Sequence, residues 1–205
     1  MKRLWIVLFL LLALQNPVGA APATGGETGN ILTPSADMMR VGQFHAGRHS
    51  ECGENSLSAA VPVTNFLELS LRQVRQRGGE ETVEAGVKYL LRSEGVMSPG
   101  IAVGVEDVSS ERRRSVYAVV SKSLPYGLRL HAGLGNGRLQ GGFAALELRI
   151  APKLQPGIFP DASLYAEHVD GHAAYGIRLS LVRGAKLTAG VDGHKNFIGI
   201  SYNFY

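Results

Sequence analysis

The feature that most constrains this chain is a two-residue alternation of apolar and polar side chains that returns along most of its length. In 128–135, leucines and an alanine alternate with Arg129, His131 and two glycines, and 173–181 repeats the pattern around Arg178. Successive side chains of an extended strand point to opposite faces, so this period predicts strands. About eleven candidate strands can be counted, centred near residues 44, 68, 87, 104, 119, 131, 147, 165, 177, 189 and 200.

Short turn signals separate these strands, among them Gly78-Gly79, Asp170-Gly171 and Asp192-Gly193. Such pairs favour tight hairpins between antiparallel neighbours. Bacterial single-chain barrels have even strand numbers, so a count near eleven predicts ten or twelve strands. Only in 66–77 do a helix and a strand interpretation compete.

The polar face of the strands decides between a soluble sandwich and a barrel in a membrane. That face carries mostly Gly, Ser and Thr with single charges, and the chain has 26 glycines. A sandwich would present a densely charged face to water, whereas a narrow barrel has little room inside and faces lipid outside. The sequence therefore predicts an all-β fold, a transmembrane antiparallel β-barrel of about 10–12 strands.

The start of the chain has the pattern of a secretory signal. Lys2 and Arg3 precede an apolar run and a small-residue cleavage site, which predicts a signal peptide over 1–20. Its removal lowers the formal net charge from +4 to +2, which gives no reason to expect a nucleic-acid partner. Residues 21–37 lack a period and are interpreted as a lead-in segment on the periplasmic side that could touch the lumen. Residues 38–205 form the predicted barrel, with both termini periplasmic.

Charged side chains on the inward face form a predicted lumen charge network. Acids and bases nearly balance, and charges removed from water need partners. We expect them to pair across the lumen and to close it against free conduction. The network comprises Glu68, Arg72, Glu84, Lys88, Arg92, Glu106, Arg129, His131, Glu147, Arg149, Glu167, Arg178 and Asp192.

The last ten residues, NFIGISYNFY, form a strand with one apolar and aromatic face. Ile198, Ile200, Tyr202 and Phe204 are in phase on that face, which suits lipid with aromatics at the headgroup level. We interpret these four residues as the assembly signal for the barrel insertase. Tyr205 lies one residue beyond this pattern and out of phase with it.

Two sets of residues could form a chemical site, and each also has a plainer interpretation. His45, His49 and Cys52 have a spacing that suits zinc, but a closed zinc site takes four ligands, and a strand end running into a loop is favoured. Ser121, His131 and Glu147 could form a hydrolase triad, yet no nucleophile motif surrounds the serine, and a lumen histidine in a polar network is favoured. We predict no catalytic residue, no metal and no cofactor.

Two further stretches invite a functional interpretation. Glu106-Asp107 followed by Arg112-Arg113-Arg114 could meet lipopolysaccharide phosphates or an acidic polysaccharide, while a solvated loop is the alternative. GLGNGRLQGG, residues 133–142, superficially resembles a phosphate loop but lacks the Lys-Ser/Thr ending. Its glycines are interpreted as a tight, bulged hairpin.

Four stretches carry a family resemblance: NILTPSADMMRVGQFHAG (30–47), SPGIAVGVEDV (98–108), YAVVSKSLPYGLRLHAGLGNGRLQGGFAALEL (117–148) and LYAEHVDGHAAYGIRLSL (164–181). They resemble the YjbH-like family of outer-membrane barrel proteins linked to bacterial exopolysaccharide export. The resemblance covers most of 30–205 and implies a short, single-barrel version of that family. It offers no catalytic residues for this chain.

Together these patterns predict a non-enzymatic outer-membrane protein, which the resemblance associates with exopolysaccharide or capsule production or export. A narrow passive channel is the alternative, and an integral outer-membrane lipid hydrolase is the second alternative. The expected partners are outer-membrane lipids and lipopolysaccharide, the barrel assembly machinery, and polysaccharide or export-system proteins.

Overall fold

Twelve antiparallel strands form the molecule in a computed structural model that describes residues 22–150, 161–182 and 184–204. The predicted signal peptide lies outside the described residues. The strands are β1 Phe44–Glu51, β2 Glu54–Pro62, β3 Leu67–Gln76, β4 Glu81–Arg92, β5 Gly100–Glu106, β6 Ser115–Ser123, β7 Leu128–Gly135, β8 Gly141–Ile150, β9 Asp161–Val169, β10 His172–Val182, β11 Ala185–Asp192 and β12 Lys195–Phe204. Short 3-10 turns at Pro125–Gly127 and Gly137–Leu139 precede β7 and β8.

The strands close into a barrel in which every neighbour in sequence is a neighbour in space. The ring is completed by β1 and β12, whose register runs from Phe44 opposite Phe204 to Glu51 opposite Phe197. The phenyl rings of Phe44 and Phe204 stack with centroids 4.3 Å apart at this seam. We call the end of the barrel where β1 begins and β12 ends the terminal end. We call the other end the opposite end.

The predicted fold class is confirmed, and the even number is twelve. The strand missing from the sequence count is β2, ENSLSAAVP. Its two faces differ little in polarity, because small residues occupy both and Pro62 ends it, so the alternation is faint. The ambiguous stretch 66–77 is a strand, β3, which places Leu69 and Leu71 on one face and Glu68 and Arg72 on the other.

The two faces of the wall differ as the alternation predicts. Large apolar side chains such as Leu71, Tyr89, Leu134, Ile177 and Ile198 are exposed on the outside. A closed ring with an apolar exterior is the arrangement of barrels that face lipid. Among the described residues, no helix is long and apolar enough to cross a membrane.

The inside of the barrel is filled by residues 22–39, which we call the plug. Pro22 and Thr28 form one bridge and Gly29 and Pro34 another, so the plug folds back on itself. Gly26 adopts a positive φ of 99° in the first of its turns, a conformation that glycine accepts without strain. The structure thus places the described part of the predicted lead-in segment within the lumen.

Apolar contacts between plug and wall form the core of the molecule. Ile31, Leu32 and Ala36 of the plug belong to one buried cluster with inward side chains of the wall. The wall contributes Leu90, Ala102, Tyr117, Val119, Leu139, Phe143, Tyr165, Val169, Ala174 and Phe197. The barrel is therefore a packed body, because plug residues occupy the space that its own side chains leave open.

Candidate functional site

Glu167 on β9 holds the turn at the middle of the plug. Its carboxylate accepts hydrogen bonds from the backbone N–H groups of Ile31, Leu32 and Thr33 at 2.7, 3.1 and 2.9 Å, and from the Thr33 hydroxyl at 2.7 Å. Hydrogen bonds to an ionised acceptor are roughly twice as strong as neutral ones. One predicted lumen acid thus binds plug backbone, where a basic partner on the wall had been expected.

Glu68 and Lys88 bind the same plug residue from neighbouring strands. Glu68 accepts from the Thr28 N–H at 2.7 Å and from its hydroxyl, while the Lys88 ammonium donates to the carbonyl oxygens of Thr28 and Asp37 at 2.8 and 2.7 Å. The two charged groups are themselves 3.4 Å apart and fully shielded from solvent. This pair satisfies the rule that buried charges need both a counter-charge and hydrogen bonds.

Arg178 on β10 binds the plug through its carbonyl groups. Its guanidinium donates to the carbonyl oxygens of Asn30 at 2.6 Å and Pro22 at 3.0 Å. It also donates to the Tyr165 hydroxyl at 3.2 Å and lies 4.9 Å from the centre of that ring. The fork of donors suits this role, because a guanidinium can serve several acceptors at once.

Arg129 on β7 binds the C-terminal end of the plug. Its guanidinium lies 2.5 Å from the Asp37 carboxylate and 2.9 Å from that of Glu94. Burial raises the pKa of Asp37, but the charges of Arg129 and His131 outweigh it, so the pKa lies below its ordinary value. Beside this pair, the Ser121 hydroxyl accepts from the Ala36 N–H at 2.8 Å. Asp37 is therefore an ionised anchor between plug and wall.

A further contact lies at the opposite end, where Arg138 donates to both Glu106 oxygens at 2.9 and 2.6 Å and to the Leu32 carbonyl at 2.7 Å. A Cβ at Gly25 would lie 2.5 Å from a Glu27 oxygen and 3.0 Å from a Glu106 oxygen, so the two carboxyl groups approach each other. Burial and the charge of Glu106 raise the pKa of Glu27 to about 8. The sequence analysis did not identify Glu27 or Arg138. Arg138 could have been found from its position as the charged residue of the glycine-rich stretch 133–142.

The remaining residues of the predicted network are spread more loosely. Arg72 contacts Glu54 at 2.7 Å and Glu84 at 3.1 Å, and Arg149 lies 3.8 Å from Glu147. At the opposite rim, Asp192 lies 3.4 Å from His172. These groups face inward, as the alternation predicts, and pair with one another along the wall.

Arg92 is the member of the predicted network that the structure places elsewhere. A register shift between Leu90 and Arg92 puts Arg92 opposite Ile101, which belongs to the outward series of β5. Arg92 is exposed at the terminal end of β4. A bulge adds one residue to a strand, so simple alternation fails beyond it.

The residues whose spacing suits zinc do not come together in the structure. His45 and His49 face inward, whereas Cys52 is exposed in the turn after β1. No group of three or more His, Cys, Asp or Glu side chains able to hold a metal occurs in the part of the chain that is described.

For the hydrolase interpretation, Ser121 and His131 are hydrogen-bonded, with Oγ and Nδ1 2.8 Å apart. Glu147 instead accepts from Ser163 at 2.8 Å and Tyr165 at 3.1 Å. The pair is buried under the plug and faces away from the outer surface. In this arrangement the serine is enclosed between plug and wall.

The Glu106–Arg114 stretch and the glycine-rich stretch 133–142 both form connections at the opposite end of the barrel. Asp107 opens the β5–β6 loop and accepts from the N–H groups of Glu111 and Arg112 at 2.9 and 2.8 Å. Burial raises the pKa of Asp107, but the hydrogen bonds from these N–H groups lower it by more, so the pKa lies below its ordinary value. The glycine-rich stretch is the β7–β8 hairpin, and Gly137 has a positive φ of 61°.

The predicted assembly residues line the outside of β12 at the seam. Ile198, Ile200, Tyr202 and Phe204 are exposed, while Ser201 and other alternate residues face inward. The Tyr202 ring meets the Phe204 ring edge-on at 4.6 Å. The rings of Tyr202, Phe204 and Phe44 thus form one aromatic cluster at the terminal end of the barrel.

A family model described as an exopolysaccharide biosynthesis protein, YjbH, matches residues 23–157. The chain belongs to the YjbH family. The match includes nearly all of the plug together with β1 to β8, so the plug is part of the region by which the family is recognised.

Solved structures similar to this YjbH-family chain are barrels of the outer membrane. The "KdgM porin in complex with disordered oligogalacturonate" is 12% identical, with a TM-score of 0.57, and the alignment covers 80% of this chain and 98% of that one. The "KdgM porin" is 14% identical, also with a TM-score of 0.57, over 80% of this chain and 99% of that one. At this identity the likeness concerns the fold alone. No curated protein matches the chain.

Proposed function

We propose that this protein is a non-enzymatic outer-membrane barrel that serves exopolysaccharide production or export as a conduit closed by its own N-terminal plug. The observation that carries the proposal is the filled lumen of a barrel from an exopolysaccharide-associated family. A conduit must be shut when nothing passes, and a segment of the chain that occupies the lumen closes it.

In this proposal the termini face the periplasm, and the narrow channel is the state reached when the plug moves. The plug is bound mainly through its backbone: Glu68 and Glu167 accept hydrogen bonds from its N–H groups, and Lys88 and Arg178 donate to its carbonyl oxygens. Such contacts can be exchanged for water or ligand hydroxyls without leaving charges in an apolar medium. The proposed partners are lipopolysaccharide, the barrel assembly machinery, and polysaccharide or export-system proteins.

Single-channel recording in planar bilayers tests the closure. The unmodified chain should show little conductance, because 22–39 occupy the lumen. The Glu68→Gln/Glu167→Gln variant replaces two charged acceptors by neutral ones. If the total loss is ~1.4–2.8 kcal/mol, the fraction of time that the channel is open should rise about ten- to a hundredfold.

A disulfide between plug and wall supplies the matched control. A Cβ at Gly100 would lie 3.3 Å from the Ala36 Cβ, close to the separation a disulfide requires. Adding Ala36→Cys and Gly100→Cys to the double variant, with Cys52→Ser to remove the free thiol, should abolish conductance when oxidised and restore it on reduction. Large, long-lived openings in the unmodified chain, or openings in the bridged variant that persist when the disulfide is oxidised, would refute the proposal.

A further inference from the structure

Arg48 is a basic side chain on the outer wall of the barrel, away from both ends. It lies at mid-strand in β1 and is exposed on the face that also carries Phe44 and Ala46. The residues directly opposite it are Ile200 on β12 and Leu57 on β2, and both are exposed apolar side chains. The guanidinium is therefore surrounded by residues that suit lipid.

The depth of Arg48 sets it apart from other charges on this wall. It lies four positions beyond Phe44 of the terminal aromatic cluster, which is ~13 Å along the strand and ~10 Å along the membrane normal for the usual tilt of such barrels. Their apolar band is ~25 Å tall, so Arg48 stands within it. Other outward charged side chains of the described strands stand at or next to a strand end: Arg75, Glu81, Arg92 and Lys122.

The wall does not supply a counter-charge for this arginine. To the described residues, the Arg48 side chain makes no hydrogen bond and no ion pair. Glu81 accepts from Arg75 at 2.9 Å. Glu51 and Glu54 belong to the inward faces of β1 and β2. The wall thus offers the Arg48 guanidinium to an external anion.

Two polar side chains lie beyond Arg48 on the same face, toward the opposite end. Ser50 is two positions further along β1, and Asn55 on β2 is directly opposite Ser50. Both are ~5 Å closer to the opposite end, and the long Arg48 side chain can extend along the wall to that level. Within the described part of the chain, neither side chain has a hydrogen-bond partner. The three residues can therefore donate to one common acceptor.

On the terminal side of Arg48, the outer wall forms a shallow groove. Ala46 and Ala59 lie directly opposite each other on β1 and β2, and both are exposed. The next residues in the same row are Tyr202 on β12 and Leu71 on β3, which are 40% and 57% exposed. Two small side chains between two large ones leave an apolar strip that fits an acyl chain.

We propose that Arg48, Ser50 and Asn55 bind a phosphate of the lipid A headgroup of lipopolysaccharide, while an acyl chain lies on Ala46 and Ala59. The site goes beyond the conduit and rests on the proposed function only through the orientation of the barrel, which turns the opposite end outward. A guanidinium binds phosphate oxygens as a fork, and the hydroxyl and the amide can donate to the others. The groove beside these donors favours a lipid phosphate over a free phosphate ion.

Lipid binding by the full-length protein in detergent micelles tests the site. Native mass spectrometry measures the dissociation constants of bisphosphorylated lipid A and of the same lipid without its phosphates, and inorganic phosphate is added as a competitor. Lipid A should bind at least about tenfold more tightly than its dephosphorylated form, and inorganic phosphate should not displace it. Arg48→Leu should weaken lipid A binding at least about tenfold, whereas Arg48→Lys should keep most of it.

Arg92→Leu is the matched control, because Arg92 is also an exposed arginine but stands at the terminal end of β4. It should bind lipid A within about twofold of the parent. Without lipid A, Arg48→Leu should unfold at a temperature equal to or above that of the parent, since leucine suits the apolar band. A lower unfolding temperature would assign Arg48 a role within the barrel and overturn the site.

Three further outcomes would also overturn the lipid site. These are equal lipid A binding by the parent and Arg48→Leu, equal binding of the dephosphorylated lipid, and displacement of lipid A by inorganic phosphate. Dimers of the parent in lipid-free detergent that Arg48→Leu separates would assign the patch to a second copy of the chain instead.

The exposed Cys52, in the turn between β1 and β2, tests the orientation that both proposals share. A membrane-impermeant maleimide should label it in intact cells. Labelling only after lysis would overturn the orientation, and with it both proposals. Labelling in intact cells without lipid A binding removes this inference alone and leaves the conduit standing.

Discussion

At the scale of the residue, Glu27 is a carboxyl group buried without the base that usually accompanies one. It is 3% exposed, both its oxygens lack a hydrogen-bond partner among the described residues, and the neighbouring Arg138 is engaged by Glu106. Burial and Glu106 raise its pKa to about 8 from an ordinary 4.5. The folded state therefore holds this proton over a pH range in which the unfolded chain releases it.

A pH dependence of stability follows from that difference. The contribution of Glu27 is most favourable below pH 4.5, and it is lost as the pH rises to about 8, because ionisation then favours unfolding. Glu27→Gln keeps the neutral form, so it should unfold at a higher temperature than the parent at pH 9 and differ little at pH 4.

Thermal unfolding in detergent at the two pH values measures this effect. The exposed Glu80→Gln serves as the control and should follow the parent at both pH values. A Glu27→Gln curve parallel to that of the parent across the range would contradict the buried, protonated carboxyl.

At the scale of the element, the two faces of one strand give a direct test of the barrel. On β10, Ile177 is exposed on the outside at mid-strand, whereas Ser180 faces the lumen. Ile177→Arg should lower the free energy of unfolding by ~2–4 kcal/mol, the cost of an arginine on the lipid face near mid-membrane.

Ser180→Arg on the same strand is the matched control, since it enters a polar interior and should cost less. Urea unfolding in lipid vesicles measures both variants. Equal tolerance of the two substitutions would favour a soluble sandwich over a membrane barrel.

Strand elements could be predicted from sequence where their two faces differ strongly. On β7 and β10, aliphatic residues alternate with Arg129, His131 and Arg178, so the inward face could be read directly. On β2 the contrast is weak, and at Arg92 a bulge changes the phase. Alternation records the polarity of faces, and it records neither extra residues nor strands built from small side chains.

The plug could not be predicted in the same way, because the wall binds its backbone. Glu167 and Arg178 contact N–H and carbonyl groups that every residue except proline supplies in full, so the plug needs little pattern of its own. The inward charges were predicted to face the lumen, but not that a segment of the chain would be their partner.

At the scale of the whole molecule, ring closure depends on the last strand. Phe204 stacks on Phe44 and ends the register between β1 and β12. Deleting Phe204 and Tyr205 removes that stack and the end of the predicted assembly signal. The truncated chain should fail to reach the membrane and be degraded.

Fractionation with heat-modifiable gel mobility measures this outcome. The matched substitution Phe204→Tyr keeps the aromatic ring and should assemble normally. Membrane levels of the truncated chain equal to those of the parent would argue against the role of these residues.

The seam also determines when the plug can be enclosed. It joins the strand that directly follows the plug to the last strand of the sheet, so every strand between them must be in place before the ring can shut. Chains rarely thread through closed rings. Residues 22–39 must therefore already lie in the hollow of an open, curved sheet when β12 arrives. Contacts so distant in sequence form slowly, and this delay gives the segment time to find its place before the ring is sealed.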